Sequence, residues 1–174
     1  MDFTPNLVVK IDLELIYPAF RERILGLVAN CHDLGADYYA TSGLRSWKEQ
    51  EKIYAQGRTI KCPGCAKNPC GHVISNAPPG WSAHNYGIAV DFARDKDLKK
   101  MGLQPDWDLK AYELLAVEAE KLGLEAGQHW AKFKDAPHIQ MPLTKLGIKW
   151  PTLIKLYNEG QMRAVWSYLD KFKW

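Results

Sequence analysis

The chain of 174 residues has the length of one domain, enough to bury about two thirds of its unfolded surface in a single core. Its hydrophobic fraction of 47% and charged fraction of 25% are ordinary for a globular protein, which excludes a disordered or fibrous chain. The net charge is only +3, and Lys and Arg are dispersed among Asp and Glu, which argues against nucleic acid as the main partner.

The N-terminal sequence MDFTPNLVVKIDLELIYP contains acidic residues and no apolar run of signal-peptide length. Elsewhere no segment approaches the roughly 18 apolar residues that a membrane span needs. We therefore expect a protein that is made in, and first resides in, a cytoplasm.

The first third of the chain predicts a helix, a strand and a second helix. PAFRERILGLVANCHDLG has apolar residues at helical spacing, with Pro18 at its start and Gly35 as its stop. ADYYATSG is β-prone, and RSWKEQEKIYAQG then places Ser46 and Glu49 at the spacing of a capping box. Arg45 is therefore expected at the mouth of a strand-to-helix turn.

Residues 58–81 are the least regular part and predict a long surface loop, since they contain four prolines, three glycines and three of the four cysteines. The spacing Cys62-x2-Cys65-x4-Cys70-x-His72 fits the four ligands of a small structural zinc site. A disulfide formed after release and free thiols in a reducing cytoplasm are the alternatives.

The last third predicts a helix, two strands and closing short helices. DLKAYELLAVEAEKLG is an amphipathic helix from an acidic start at Asp108 to a glycine stop, and LEAGQHWAKFKDAPHIQM reads as strand, loop and strand. The final GQMRAVWSYLDKFKW carries an apolar stripe that we expect to dock on the core. A cationic tail that engages a membrane or envelope surface is the alternative.

The stretch SAHNYGIAVD joins a turn to a strand and contains two candidate metal ligands. Gly87 permits a tight bend after His84, and Ala89 and Asp91 share one face of the strand. Taken alone, a single His after a Ser is more often a turn residue or a cap than a metal ligand. A strand carboxylate that is buried without a partner costs several kcal/mol, so Asp91 is expected to face a cation or a metal.

A catalytic zinc site needs about three protein ligands, an open position for water, and a nearby acid or base. The segment DAPHIQ offers His138 as the third ligand, and Pro137 favours extended backbone before it. Asp135 lies three residues before His138 and is the candidate general base.

Three segments in order, SGLRS, SAHNYGIAVDF and WAKFKDAPHIQ, resemble the successive motifs of the zinc-dependent D,D-carboxypeptidase and L-alanyl-D-glutamate endopeptidase family, which includes many bacteriophage endolysins. TLIKLYNEGQMRAVW is similar to the tail of the L-alanyl-D-glutamate group. The resemblance implies an α+β fold of the hedgehog and D,D-peptidase type, with a small antiparallel sheet flanked by helices. It also implies one peptidase domain over residues 1–174, with a catalytic core at about 18–142, a helical tail at about 143–174, and no separate wall-binding domain.

The resemblance implies three zinc ligands, which are His84, Asp91 and His138. It makes Asp135 the acid/base that takes a proton from the attacking water and returns it to the leaving amine. Arg45 would neutralise substrate charge or the developing oxyanion; without the resemblance, a surface salt bridge or a charge at the helix start is the alternative. Ser82 would make a hydrogen bond behind the ligands, or would only form the turn.

The function so implied is hydrolysis of peptidoglycan stem peptides at the L-alanyl-D-glutamate bond by a monomeric phage-type endolysin. The enzyme would stay in the host cytoplasm until a holin-type partner permeabilised the membrane, and would then act on a thin, Gram-negative-type wall. The alternatives are a D-alanyl-D-alanine carboxypeptidase or dipeptidase, and a non-catalytic zinc domain that binds the wall.

Overall fold

A computed structural model describes part of the chain, namely residues 11–61, 64, 66, 71, 73–96, 104–106 and 108–174. The described part confirms the α+β class, because helices accompany one antiparallel five-stranded sheet. The chain divides into two compact units. Unit 1 contains Met1–Leu44, Gly87–Pro142 and Trp174, and unit 2 contains Arg45–Tyr86 and Leu143–Lys173. The prediction of one peptidase domain with a tail from about residue 143 stays a prediction.

The helices and strands follow one another along the chain as α1 (Pro18–Asp33), β1 (Tyr38–Ser42), α2 (Trp47–Ala55), β2 (Ala89–Asp95), β3 (Pro105–Asp106), α3 (Glu113–Lys121), β4 (Glu125–Ala126), β5 (His138–Gln140) and α4 (Trp150–Leu169). No helix in the described ranges has both the length and the apolar character that a bilayer crossing requires.

The sheet of unit 1 has the order β1-β2-β5-β4, and β3 pairs with the end of β2. All of its pairs are antiparallel, and the β1–β2 register shifts between Ala40 and Ser42. In the β2–β5 pair, Asp91 lies directly opposite His138. The register therefore brings together two residues that are 47 positions apart in the chain.

The core of unit 1 is formed by α1 and α3 packed on each other, with α1 also against β1. The side chains of Phe20, Ile24 and Leu27 on α1 are at most 1% exposed. Each such side chain contributes about 1.5–3 kcal/mol when it is fully buried. Helical spacing in the sequence therefore correctly indicated the buried face of α1.

The helix predicted from Asp108 begins differently in the structure. A 3₁₀ turn at Leu109–Tyr112 precedes α3, and the carboxylate of Asp108 accepts a hydrogen bond from the amide of Lys110. The carbonyl of Asp108 accepts the amide of Ala111 at 2.8 Å, an i to i+3 bond that tightens this turn. Local capping thus delays the α-helix proper to Glu113.

In unit 2, α2 starts with the predicted capping box. The amide of Glu49 donates to Ser46 Oγ at 3.2 Å, and the amide of Ser46 donates to Glu49 Oε2 at 2.8 Å. The two bonds satisfy donors that the first turn of a helix otherwise leaves open. Arg45 is therefore the last residue before a firmly capped helix.

The C-terminal helix α4 is broken at Gly160 and Gln161, and Gln161 has φ 54°. Its second segment contacts the rest of unit 2. Val165 and Leu169 are fully buried, and Trp166 Nε1 donates to the carbonyl of Tyr86 at 2.9 Å. This packing favours the docked helix over a membrane-directed tail.

Candidate metal and catalytic site

Asp91 and His138 form a part-buried pair across strands β2 and β5. His138 Nδ1 lies 3.0 Å from Asp91 Oδ1, and the two side chains are 8% and 22% exposed. Burial disfavours the charged imidazolium, but the hydrogen bond to Asp91 and the charges of Asp91 and Asp135 outweigh it, so the pKa of His138 is raised. The carboxylate of Asp91 thus has the imidazole of His138 as its partner, as expected for a carboxylate on an apolar strand.

His84 lies in a 3₁₀ turn, Ala83–Tyr86, and is 3% exposed. The turn is held by the amide of Asn85, which donates to the carbonyl of Ser82 at 2.9 Å. The carbonyl of His84 accepts the amide of Arg45 at 3.0 Å. Ser82 is buried and forms this turn, and the hydrogen bond predicted for its hydroxyl stays a prediction.

His84, Asp91 and His138 each offer one ligand atom, and these atoms lie within 4.8 Å of one another. Two imidazoles and one carboxylate are a donor set that zinc accepts in catalytic sites, where a fourth position remains for water or substrate. The three residues therefore fit the metal that the sequence motifs imply.

The backbone of Asp135 is held against Gly127, at a corner of the chain that Gly127 forms. The amide of Asp135 donates to the carbonyl of Gly127 at 3.1 Å, and the amide of His138 donates to the carbonyl of Asp135 at 3.0 Å. A Cβ at position 127 would overlap the carbonyl oxygen of Asp135. Only glycine therefore allows this close approach, which fixes the candidate base relative to His138.

Arg45 is anchored through Gln50, which is fully buried in α2. Arg45 Nη1 donates to Gln50 Oε1 at 2.9 Å. Gln50 Nε2 in turn donates to Ser75 Oγ at 3.1 Å and to the carbonyl of Ala77 at 2.7 Å. The guanidinium is thus attached to a buried amide, an arrangement unlike that of an exposed salt bridge.

Four residues that support the site were not singled out by the sequence, and these are Gln50, Asn85, Gly127 and Gln140. Asn85 joins the carbonyl of Arg45 to the amide of Gly80 through two hydrogen bonds of 2.9 Å. For Asn85, the available signal in the sequence was an amide side chain directly after the candidate ligand His84. For the other three, the sequence carries no local sign of the contact.

His129 bridges two glutamates. Its Nδ1 lies 2.9 Å from Glu120 Oε1, and its Nε2 lies 3.1 Å from Glu113 Oε1. The hydrogen bond to Glu120 is the main reason that the pKa of His129 is raised. His129 therefore joins the turn before Trp130 to α3.

The candidate ligands of a second zinc site lie outside the described residues, and they are Cys62, Cys65, Cys70 and His72. The second site therefore stays a prediction, as do its disulfide and free-thiol alternatives.

Comparison with known proteins places this fold and these motifs in a family. The family model described as VanY, D-alanyl-D-alanine carboxypeptidase, matches residues 14–138, a segment that includes the first two motifs and the third as far as His138. The peptidoglycan L-alanyl-D-glutamate endopeptidase CwlK of Bacillus subtilis is 37% identical over 136 residues, which are 72% of this chain and 73% of CwlK.

Two solved structures share the fold. The L-Ala D-Glu endopeptidase ChiX of Serratia marcescens superposes with a TM-score of 0.51 at 23% identity, covering 76% of this chain and 85% of ChiX. A variant of the vancomycin-resistance D,D-pentapeptidase VanY, in complex with Zn(II), gives a TM-score of 0.53 at 17% identity and covers 80% of this chain and 83% of that one. With the family match spanning Arg45 to His138, the chain belongs to the VanY family and is a peptidase.

Proposed function

We propose that the chain is a zinc peptidase that hydrolyses the L-alanyl-D-glutamate bond in the stem peptides of peptidoglycan. The main support is the convergence of two imidazoles and a carboxylate in a chain that is 37% identical to CwlK. CwlK is a peptidoglycan L-alanyl-D-glutamate endopeptidase.

The proposed zinc ligands are His84, Asp91 and His138. A zinc ion bound there would act as a Lewis acid toward a substrate carbonyl and would make water a stronger nucleophile near neutral pH. Asp91 and His138 are preorganised for this role, because the strand register sets them opposite each other. A ligand pair on adjacent strands needs little rearrangement to bind a cation.

Asp135 is the proposed acid/base. Its carboxylate would accept a proton from the attacking water and would deliver it to the nitrogen of the leaving amine. Arg45 would place a permanent positive charge against a substrate carboxylate or the developing oxyanion. The buried bond from Arg45 to Gln50 supports this role, since it restricts the guanidinium.

Removal of zinc is expected to abolish hydrolysis, and stoichiometric zinc is expected to restore it. Purified protein would be treated with a chelator, dialysed, and assayed on isolated sacculi by release of amino groups, with buffer-dialysed protein as the control. Full activity of the metal-free protein would contradict the mechanism. Metal analysis of the purified protein before chelation tests the cysteine loop, because one zinc per chain contradicts a second zinc site there.

The D-alanyl-D-alanine carboxypeptidase alternative is favoured by one observation, the description of the matching family. Mass spectrometry of the zinc-restored digest separates the two reactions. The proposed endopeptidase is expected to release peptides that begin with D-glutamate. Free D-alanine as the only product would establish the carboxypeptidase instead.

We also propose that the protein acts in phage-type host lysis as a monomer, and that it waits in the cytoplasm for a membrane-permeabilising partner such as a holin. The proposal rests on the resemblance of the three motifs to those of endolysins. Cells that produce the protein are expected to keep their turbidity until chloroform permeabilises the membrane, and then to lyse within minutes. Lysis before chloroform, or its absence afterwards, would contradict this role.

A further inference from the structure

The imidazole of His138 is contacted at both nitrogens and on its face. Nδ1 lies 3.0 Å from Asp91 Oδ1, and Nε2 lies 3.0 Å from Gln140 Oε1. The Trp130 ring is tilted against the imidazole at 5.2 Å between centroids. An amide oxygen can only accept a hydrogen bond, so the contact with Gln140 requires that the Nε2 atom carry a proton.

Gln140 reaches His138 because of their positions in the sheet. The two residues are two apart on β5, so their side chains leave the same face. Gln140 pairs with Ala89 on β2 and with Glu125 on β4. Glu125 Oε1 accepts the indole N–H of Trp130 at 2.7 Å, which fastens the ring that covers His138.

We propose that Gln140 is a positioning residue that holds Nε2 of His138 as a hydrogen-bond donor, so that Nδ1, beside Asp91, is the nitrogen left to bind the metal. The inference rests on the proposed zinc site. Histidine ligands commonly donate their second N–H to a fixed acceptor, which sets both the tautomer and the ring orientation. Here the acceptor is the amide of Gln140, and the tilted Trp130 ring that packs against the imidazole limits its rotation.

Gln140→Leu is expected to weaken zinc binding by about 10–100-fold in competition with a chromogenic chelator. Gln140→Glu restores an oxygen acceptor of the same reach and is expected to bind zinc within about threefold of wild type. The matched control is Gln56→Leu, the same change at the C-terminal end of α2, which is expected to stay within about twofold of wild type. Melting temperatures verify that all variants are folded.

A second measurement separates this inference from the proposed function. Long-range ¹H–¹⁵N spectra of zinc-free protein report which ring nitrogens of His138 carry protons. The wild type is expected to show a slowly exchanging proton on Nε2, and Gln140→Leu is expected to lose that protection. Retained zinc affinity in Gln140→Leu, or no Nε2 proton in the wild type, would overturn the role of Gln140. Failure of the wild type to bind zinc would instead contradict the proposed function.

Discussion

Asp135→Asn is expected to lower kcat on sacculi by about 10³-fold, within the 10²–10⁴-fold that general acid–base catalysis typically contributes, while zinc content stays at the wild-type value. The amide cannot accept the proton of the attacking water. It nearly preserves the shape of the side chain, so the backbone bonds that link Asp135 to Gly127 and His138 should persist. Release of amino groups and metal analysis measure the two quantities.

The matched control is Asp33→Asn, at the exposed end of α1, which is expected to keep full activity. Pull-down with sacculi adds a test of the wall-binding alternative, because Asp135→Asn is expected to bind them as the wild type does. A zinc-loaded Asp135→Asn protein with near-normal kcat would show that another group moves the proton. A wild-type protein that binds sacculi but releases no amines would support the non-catalytic wall-binding domain.

Gly127→Ala is expected to reduce kcat by about 10²-fold, since a displacement of about 1 Å in a catalytic group can cost that much. The added methyl group would overlap the carbonyl oxygen of Asp135, so that residue must move. His138 moves with it, because its amide donates to the same carbonyl. Overpacking of this kind typically destabilises a protein by about 1–3 kcal/mol, which thermal unfolding would report.

Gly26→Ala is the matched control for this substitution. Gly26 lies inside α1, and a Cβ there meets nothing within 4 Å. The change is expected to stabilise the fold by about 0.5–1 kcal/mol and to leave kcat unchanged. If a folded Gly127→Ala protein had wild-type kcat, the corner at Gly127 would not determine the position of Asp135.

The elements that carry the site could be predicted because their signals are local. The start of α2 follows from Ser46 and Glu49, because each side chain accepts a hydrogen bond from the backbone amide of the other residue. The alternation in IAVDF predicted β2 and the shared face of Ala89 and Asp91. The acidic start at Asp108 was also visible, but the 3₁₀ turn that it caps before α3 was not.

The contacts that orient the site could not be predicted, because they join distant positions. The opposition of Asp91 and His138 depends on the β2–β5 register, and only the family resemblance pointed to it beforehand. A glutamine within KEQEK reads as a surface residue of a helix, yet Gln50 is fully buried and binds Arg45. The requirement for glycine at position 127 arises only when the chain returns with Asp135.

The carbonyl of Gly127 accepts two amides, that of Trp130 at 3.2 Å and that of Asp135 at 3.1 Å. These two hydrogen bonds to one carbonyl fix the base of the loop between Trp130 and Asp135. Residues 131–134, at the tip of this loop, are exposed. Loop tips tolerate changes of length and sequence when the backbone at their base is fixed. The tip can therefore diverge in evolution while the backbone that holds Asp135, the proposed acid/base, stays fixed.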